Sequence, residues 1–74
     1  MNRALVIGAT GFIGLNLVDA LRSAGVRVRA TRRKRSITMH LRKRDVELVH
    51  ADLSEPESLV GAMRGCDVVY FAAG

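Results

Sequence analysis

The sequence predicts an α/β fold in which a parallel β-sheet carries helices on its faces. Four short apolar segments, several of them rich in β-branched residues, alternate with segments whose apolar residues recur at helical spacing. Glycines stand where the first apolar segment ends and where two of the helical segments end, as expected for turns between such elements. With right-handed crossovers, the expected strand order is 3-2-1-4.

The same patterns give the boundaries of each element. Strands are predicted at residues 3–8, 26–31, 46–51 and 67–72, and helices at residues 12–24, 37–44 and 56–64. Gly25 and Gly65 follow the first and third helices, as glycine commonly does where a helix ends. Ser36 is expected to cap the second helix, and Ser54 to open a capping box before Pro56, which a first helical turn tolerates.

Two expectations concern burial. The third helix should bury Leu59, Val60 and Met63, and should lie on the opposite sheet face from the first two helices. In the second strand, Arg27 and Arg29 alternate with apolar residues. Since a strand covered on both faces is normally apolar throughout, this alternation predicts that the second strand lies near a sheet edge.

The stretch GATGFIG at residues 8–14 joins the first strand to the first helix. Glycine tolerates the backbone dihedrals of an abrupt reversal such as the one that follows Gly8. A Cβ atom at Gly11 would keep an anionic ligand away from the backbone. A larger residue at Gly14 would push the helix off the strand. The spacing is Gly-x-x-Gly-x-x-Gly rather than the commoner Gly-x-Gly-x-x-Gly, so its position between strand and helix carries the argument.

This turn predicts a diphosphate site. The N-terminus of a helix presents unpaired N–H groups and about half a positive charge. The expected donors are the backbone N–H groups of Phe12 and Ile13, and Thr10 could add a hydroxyl. The alternative is a structural glycine turn that binds nothing.

Two arginines after the second strand indicate which dinucleotide binds. Sites for NAD usually place an acid about 20 residues beyond the glycines, but here that spacing from Gly14 reaches Arg32 and Arg33. No acid lies between Asp19 and Asp45. Guanidinium binds a 2′-phosphate bidentately, so we expect NADP, with NAD as second choice. Arg33 should meet the phosphate, and Arg32 should stack on or flank the adenine; alternatively, both belong to a solvated basic face.

Composition excludes several other classes. The 74 residues allow one small domain, and no apolar run approaches the ~20 residues of a membrane helix. No secretory pattern opens the chain, so we expect a cytoplasmic protein with no membrane partner. Cys66 is the single cysteine, and His40 and His50 stand apart from each other and from Cys66. We therefore expect no metal site.

Four stretches together resemble the extended short-chain dehydrogenase/reductases, the NAD-dependent epimerase/dehydratase group. They are residues 8–14 (GATGFIG), 28–33 (VRATRR), 51–53 (ADL) and 65–74 (GCDVVYFAAG). The second stretch is similar to the dihydroflavonol-reductase branch, in which an arginine at the position of Arg33 binds the 2′-phosphate. The resemblance spans essentially the whole chain and implies a Rossmann-type sheet.

The resemblance also implies further cofactor contacts. Asp52 falls where the family places an acid on the adenine amino group, and Leu53 follows it beside the adenine. The end of the fourth strand, which lies beside the ribose and nicotinamide in the family, corresponds to Ala72, Ala73 and Gly74.

The family's catalytic Tyr-x-x-x-Lys pair is absent from these 74 residues. The single tyrosine, Tyr70, is followed four residues later by Gly74 and is expected in the core. We therefore expect an N-terminal portion of a longer chain, with catalytic and substrate-binding parts absent. This segment alone should be inactive and marginally stable. Its fourth strand would form an open edge, which is compatible with an oligomer.

The expected function is NADP binding within an oxidoreductase or epimerase/dehydratase. The resemblance implies hydride transfer at a carbonyl or hydroxyl carbon of a small-molecule substrate. One alternative is a non-catalytic NADP-binding regulator with the same fold. Another is a nucleic-acid binder that uses the basic window at residues 27–44, but no aromatic residue lies between Phe12 and Tyr70 to stack on bases. We therefore expect no nucleic-acid partner.

Overall fold

A computed structural model describes residues 3–33 and 39–72 of the chain. Its strands are β1 (Arg3–Ile7), β2 (Arg27–Arg32), β3 (Glu47–His50) and β4 (Val68–Phe71). Its helices are α1 (Phe12–Ser23), α2 (Met39–Arg42) and α3 (Pro56–Met63). The elements alternate as predicted, and their boundaries lie within one or two residues of the expected ones. Ser36 and Ile37, the predicted cap and start of the second helix, lie outside the described residues.

The strands form one parallel sheet in the order β3-β2-β1-β4, which confirms the predicted topology. The central strand β1 is the most deeply covered, and Ala4, Leu5 and Val6 are fully buried. Val6 pairs with Ala30 of β2 on one side and with Tyr70 of β4 on the other. Because all the strands run the same way, their carboxyl ends meet at a single edge of the sheet.

The two sheet faces carry separate apolar clusters. The face covered by α1 and α2 buries Val6, Ala9, Val18, Val28, Ala30 and Leu41, with Tyr70 packed half-buried against them. The face covered by α3 buries Leu5, Ile7, Ala51 and Ala62. The third helix therefore lies opposite the first two, as right-handed crossovers on either side of β1 require.

β2 lies next to the edge strand β3, which confirms that the second strand is near a sheet edge, although β2 itself is paired on both sides. Arg29 is nonetheless only 9% exposed. Its Nε donates to Glu47 of β3 at 3.0 Å, and its Nη1 donates to the carbonyl oxygens of Ala62 at 2.8 Å and Arg64 at 2.5 Å. The guanidinium thus meets a carboxylate and the electronegative end of α3. Burial of the charge is tolerated because each contact is charge-assisted.

The predicted capping box at the start of α3 is wrong. Glu55 is the N-cap residue, and no side chain caps the helix there. The Ser54 hydroxyl instead donates to Asp52 Oδ1 at 2.9 Å. Pro56 occupies the first helical turn as expected, where its missing N–H group has no intrahelical role.

Burial along α3 differs from the prediction at two of three positions. Leu59 packs half-buried against the sheet together with Ala62. Val60 and Met63 are 56% and 42% exposed. Each follows one of the sheet-facing residues directly, and one step along a helix turns the side chain by about 100°. The sheet therefore contacts Leu59 and Ala62 and leaves Val60 and Met63 exposed.

Candidate functional site

A cleft of about 500 Å³ opens at the carboxyl edge of the sheet. It is lined by Ile7, Gly8, Thr10, Gly11, Phe12, Ile13, Thr31, Arg32, Arg33, Ala51, Asp52, Leu53, Leu59 and Ala72. Most of the residues predicted from the sequence to form a binding site therefore surround one space. Gly14 is buried and does not line it. Ala73 and Gly74 lie outside the described residues.

The structure requires glycine at two of the three glycine positions of the turn, Gly8 and Gly14. Gly8 has a φ of +84°, which side chains other than glycine rarely adopt. A Cβ atom at Gly14 would lie 2.5 Å from the Gly8 carbonyl oxygen and 2.6 Å from the Ala9 Cα, so α1 packs on the turn only with glycine there. Gly11 has an ordinary φ of −85° and open space around it, apart from the Gly8 oxygen at 3.9 Å. The bare backbone at Gly11 therefore leaves open space beside the N-terminus of α1.

The N-terminus of α1 opens onto the cleft as a group of unpaired donors. The first bond of the helix runs from the Leu15 N–H to the Gly11 carbonyl at 2.9 Å, so the N–H groups of Phe12, Ile13 and Gly14 precede it. No side chain caps Gly11, and the first turn holds no acidic residue. The side chains of Phe12 and Ile13 are 82% and 71% exposed. The positive end of the helix is thus available to an anion.

Thr31 is a cleft residue that the sequence analysis missed. It is 3% exposed, and its Oγ1 accepts a hydrogen bond from the Gly8 N–H at 3.4 Å. The bond ties the end of β2 to the start of the glycine turn. Ile7 and Ala51, also missed, likewise stand where strands end. All three could have been identified from the sequence as residues at the carboxyl ends of the predicted parallel strands.

The arginine pair lies at the other end of the cleft. Arg32 and Arg33 are both exposed at the carboxyl end of β2. The Arg32 carbonyl accepts the Ala51 N–H at 3.0 Å, which holds the ends of β2 and β3 together. The positive charge of Arg33 also acts on Asp52 across the cleft. This end of the cleft can therefore contact anionic and polar groups through side chains.

Asp52 is held by two serines that belong to the segment before and inside α3. The Ser54 N–H and hydroxyl both donate to Asp52 Oδ1 at 2.9 Å. The Asp52 N–H donates to Ser58 Oγ at 2.9 Å. These two donors of Ser54, followed by the charges of Arg33 and His50, lower the pKa of the Asp52 carboxyl. Asp52 is therefore an ionised acceptor at neutral pH.

The remaining titratable groups form no second site within residues 3–33 and 39–72. His50 Nε2 lies 3.5 Å from Glu55 Oε1, an ion pair when the imidazole is protonated. His40 and His50 are both exposed, and Cys66 is half-buried. Among these residues, no group of three or more His, Cys, Asp or Glu side chains could hold a metal ion. No helix in this part of the chain has the length and apolar character needed to cross a membrane.

The chemistry of the cleft fits an elongated nucleotide that carries anionic groups at two positions. One end offers backbone donors at a helix N-terminus, which suit a diphosphate. The other end offers two guanidinium groups and an ionised carboxylate. Ile7, Ala51 and Leu59 line the same cleft and offer apolar surface on which a flat base can pack. A parallel sheet with this cleft at its carboxyl edge, beside the strand-order reversal at β1, defines a dinucleotide-binding Rossmann domain.

Comparison with known proteins leads to the same class. The chain belongs to the NAD(P)H-binding family, whose model matches residues 8–74. A 2-alkyl-3-oxoalkanoate reductase of Shewanella oneidensis is 37% identical over 73 residues, which cover 99% of this chain and 18% of that relative.

Two solved structures share the fold. A nucleoside-diphosphate-sugar epimerase from Pseudomonas aeruginosa superposes with a TM-score of 0.90 at 31% identity, over 96% of this chain and 24% of that one. Vestitone reductase from alfalfa superposes with a TM-score of 0.78 at 29% identity, over the same shares. These similarities confirm the resemblance to the epimerase/dehydratase group and its reductases. The chain spans about a quarter or less of each of these proteins.

Proposed function

We propose that this chain is the NADP-binding, N-terminal portion of a longer oxidoreductase or epimerase/dehydratase. The intact protein acts by hydride transfer at a carbonyl or hydroxyl carbon of a small molecule. The observation that carries the proposal is the single cleft joining the uncapped N-terminus of α1 to Arg32 and Arg33. Family membership supports a nicotinamide dinucleotide as the ligand.

The glycine end would hold the diphosphate. The backbone N–H groups of Phe12 and Ile13 are the proposed donors, because they precede the first bond of α1. Thr10 lines the same end and would add its hydroxyl. Gly8 and Gly11 keep side chains out of the approach. These contacts serve NAD and NADP equally, since both carry the same diphosphate.

The arginine end would select the phosphorylated dinucleotide. Arg33 is proposed to bind the 2′-phosphate and Arg32 to flank the adenine, since both are exposed where β2 ends at the cleft. An NAD site usually places a carboxylate at this point to bind the ribose hydroxyls, and the sequence has no acid between Asp19 and Asp45. A carboxylate there would repel a 2′-phosphate, whereas guanidinium binds it.

The remaining contacts are proposed from the family resemblance, and three of the residues involved, Asp52, Leu53 and Ala72, line the cleft. Asp52 would accept a hydrogen bond from the adenine amino group, with Leu53 beside the base. The segment after β4 would lie near the ribose and nicotinamide, through Ala72, Ala73 and Gly74. When bound, the nicotinamide ring supplies or accepts the hydride. The chain's own residues bind and orient the nucleotide, and the substrate-binding and catalytic groups are proposed to lie elsewhere in the intact protein.

Exposed apolar surface supports a longer chain. On β4, an edge strand, Val68 and Val69 are each 41% exposed and Phe71 is 59% exposed. Val60 on α3 is 56% exposed. The backbone of an open strand edge normally pairs with another strand. Exposed apolar side chains normally pack against another part of the protein. We propose that the rest of the chain covers this surface.

Side-by-side titration of the intact protein with NADPH and NADH tests the proposal. Hydrogen bonds to charged groups contribute about 1.5–3 kcal/mol, so NADPH should bind about 10- to 150-fold more tightly. Equal affinities would refute the NADP assignment. A protein that binds neither nucleotide but binds duplex DNA in a salt-dependent manner would favour the nucleic-acid alternative.

A further inference from the structure

Ser54 does not line the cleft, yet it makes the hydrogen bonds that orient one of the cleft's charged groups. Its N–H and its Oγ both donate to the same atom, Asp52 Oδ1, and both distances are 2.9 Å. Two donors on one oxygen restrain the rotation of the carboxyl group, since a turn about its bond to the Cβ disturbs both hydrogen bonds. Oδ2 takes no part in this contact with Ser54.

The Ser58 hydroxyl contacts the backbone of the same residue instead of its carboxyl group. Its Oγ accepts the Asp52 N–H at 2.9 Å and lies 2.6 Å from the Glu55 carbonyl oxygen. This hydroxyl therefore holds the turn between β3 and α3 in place. The two serines contact different groups: Ser58 reinforces a backbone turn that the Glu55 N–H also closes on the Asp52 carbonyl at 2.9 Å, whereas Ser54 orients the Asp52 carboxyl group.

We propose that Ser54 is a positioning residue for adenine recognition, which it achieves by orienting the Asp52 carboxylate toward the 6-amino group of the purine. The inference rests on the proposed function, because it needs an adenine nucleotide in the cleft. Asp52 lines that cleft, and beside it Leu53 and Leu59 offer apolar surface for a base. A carboxylate with fixed orientation loses less conformational entropy when it accepts the amino group.

The chemistry makes the base, rather than the phosphates, the sensitive part of the ligand. An ionised carboxylate accepts a hydrogen bond from an amino group and repels a carbonyl oxygen at the same place. The two donors of Ser54 favour the ionised form, in line with the lowered pKa of Asp52. Ser54 should therefore increase discrimination between adenine and hypoxanthine, which carries a carbonyl oxygen in place of the 6-amino group.

The test measures dissociation constants of the intact protein for NADPH and for its hypoxanthine analogue. In the wild type, NADPH should bind about tenfold more tightly than the analogue. Ser54→Ala should lower that preference about fivefold, mainly by weakening NADPH, and Ser54→Thr should restore it. In an Asp52→Ala background, Ser54→Ala should leave the preference unchanged, because the group it orients is gone.

Ser58→Ala is the matched control, because it removes a serine hydroxyl from the same turn without touching the carboxyl group. It should lower the thermal midpoint while preserving the preference for adenine. If Ser54→Ala weakens both nucleotides equally, or neither, the positioning role is refuted while NADP binding stands. A wild-type protein that binds neither nucleotide would refute the proposed function itself, and the inference with it.

Discussion

Backbone groups form the glycine end of the cleft, whereas side chains form the arginine end. At the glycine end, the positive φ of Gly8 and the tight approach of Gly14 to Ala9 make the site part of the fold itself. At the arginine end, Arg32 and Arg33 are exposed side chains on the last residues of β2 and beyond. We therefore expect that substitutions can change the affinity for dinucleotides and the selectivity for NADP over NAD separately. The substitutions at Gly14 and Gly11 change the glycine end and the one at Arg33 changes the arginine end, whereas the one at Asp19 lies outside the cleft.

Gly14→Ala should have the largest effect and should act on the fold. The added Cβ atom would meet backbone atoms at 2.5 and 2.6 Å, which cannot move aside as a side chain can. We expect the free energy of unfolding to fall by about 3 kcal/mol, more than the ~1 kcal/mol by which alanine favours a helix over glycine. Denaturant unfolding of the intact protein measures this. An unchanged midpoint would show that α1 does not pack on the turn as described.

Arg33→Asp should act on selection alone. The affinity for NADPH should fall about 10- to 150-fold, while the affinity for NADH changes by less than about threefold. Arg42→Asp is the matched control, because it makes the same charge change at an exposed residue that does not line the cleft. Equal losses for both nucleotides, or an Arg42→Asp effect as large as that of Arg33→Asp, would rule out the assignment of Arg33.

Gly11→Ala should weaken both nucleotides equally. The φ of −85° at Gly11 suits alanine. Apart from Gly11 and the residues on either side of it, the nearest atom to an added Cβ is the Gly8 carbonyl oxygen at 3.9 Å. The free energy of unfolding should therefore change by less than about 1 kcal/mol. A methyl group in the path of the diphosphate should lower both affinities about tenfold. Full retention of binding would mean that the diphosphate does not approach this backbone.

The smallest effect concerns an ion pair remote from both ends of the cleft. Arg44 donates from Nε to Asp19 Oδ1 at 2.6 Å and from Nη2 to Oδ2 at 3.0 Å. These hydrogen bonds lower the pKa of Asp19. The pair therefore contributes stability above about pH 4, which is lost as pH falls through the lowered folded pKa.

Thermal midpoints of wild type and Asp19→Asn test this. The wild type should be slightly more stable at pH 7, and the difference should shrink toward pH 3. Because the Asp19 side chain is exposed and the Arg44 side chain is partly exposed, the difference at pH 7 should be small. A difference that grows in acid would contradict the direction of the pKa shift. Affinity for either nucleotide should not change.

Sequence patterns predicted the strand order, the glycine turn and the arginine pair because each depends on local spacing. They did not predict how Arg29 is buried, since its partners Glu47, Ala62 and Arg64 lie 18 to 35 residues away. The alternation in β2 indicated a position near a sheet edge, but it could not show that a distant carboxylate and a helix end enclose Arg29. Ser54 fits a capping pattern equally well, and its contact with Asp52 depends on the shape of the turn.

The central claim is that a bare backbone at the start of α1 holds a diphosphate while Arg33 selects its 2′-phosphorylated form. A crystal structure of the intact protein with NADP⁺ tests it most directly. In that structure, we expect the diphosphate oxygens to lie within hydrogen-bond distance of the Phe12 and Ile13 N–H groups. The 2′-phosphate should contact the Arg33 guanidinium. A nucleotide bound with its diphosphate away from residues 8–14, or with its 2′-phosphate away from Arg33, would contradict it.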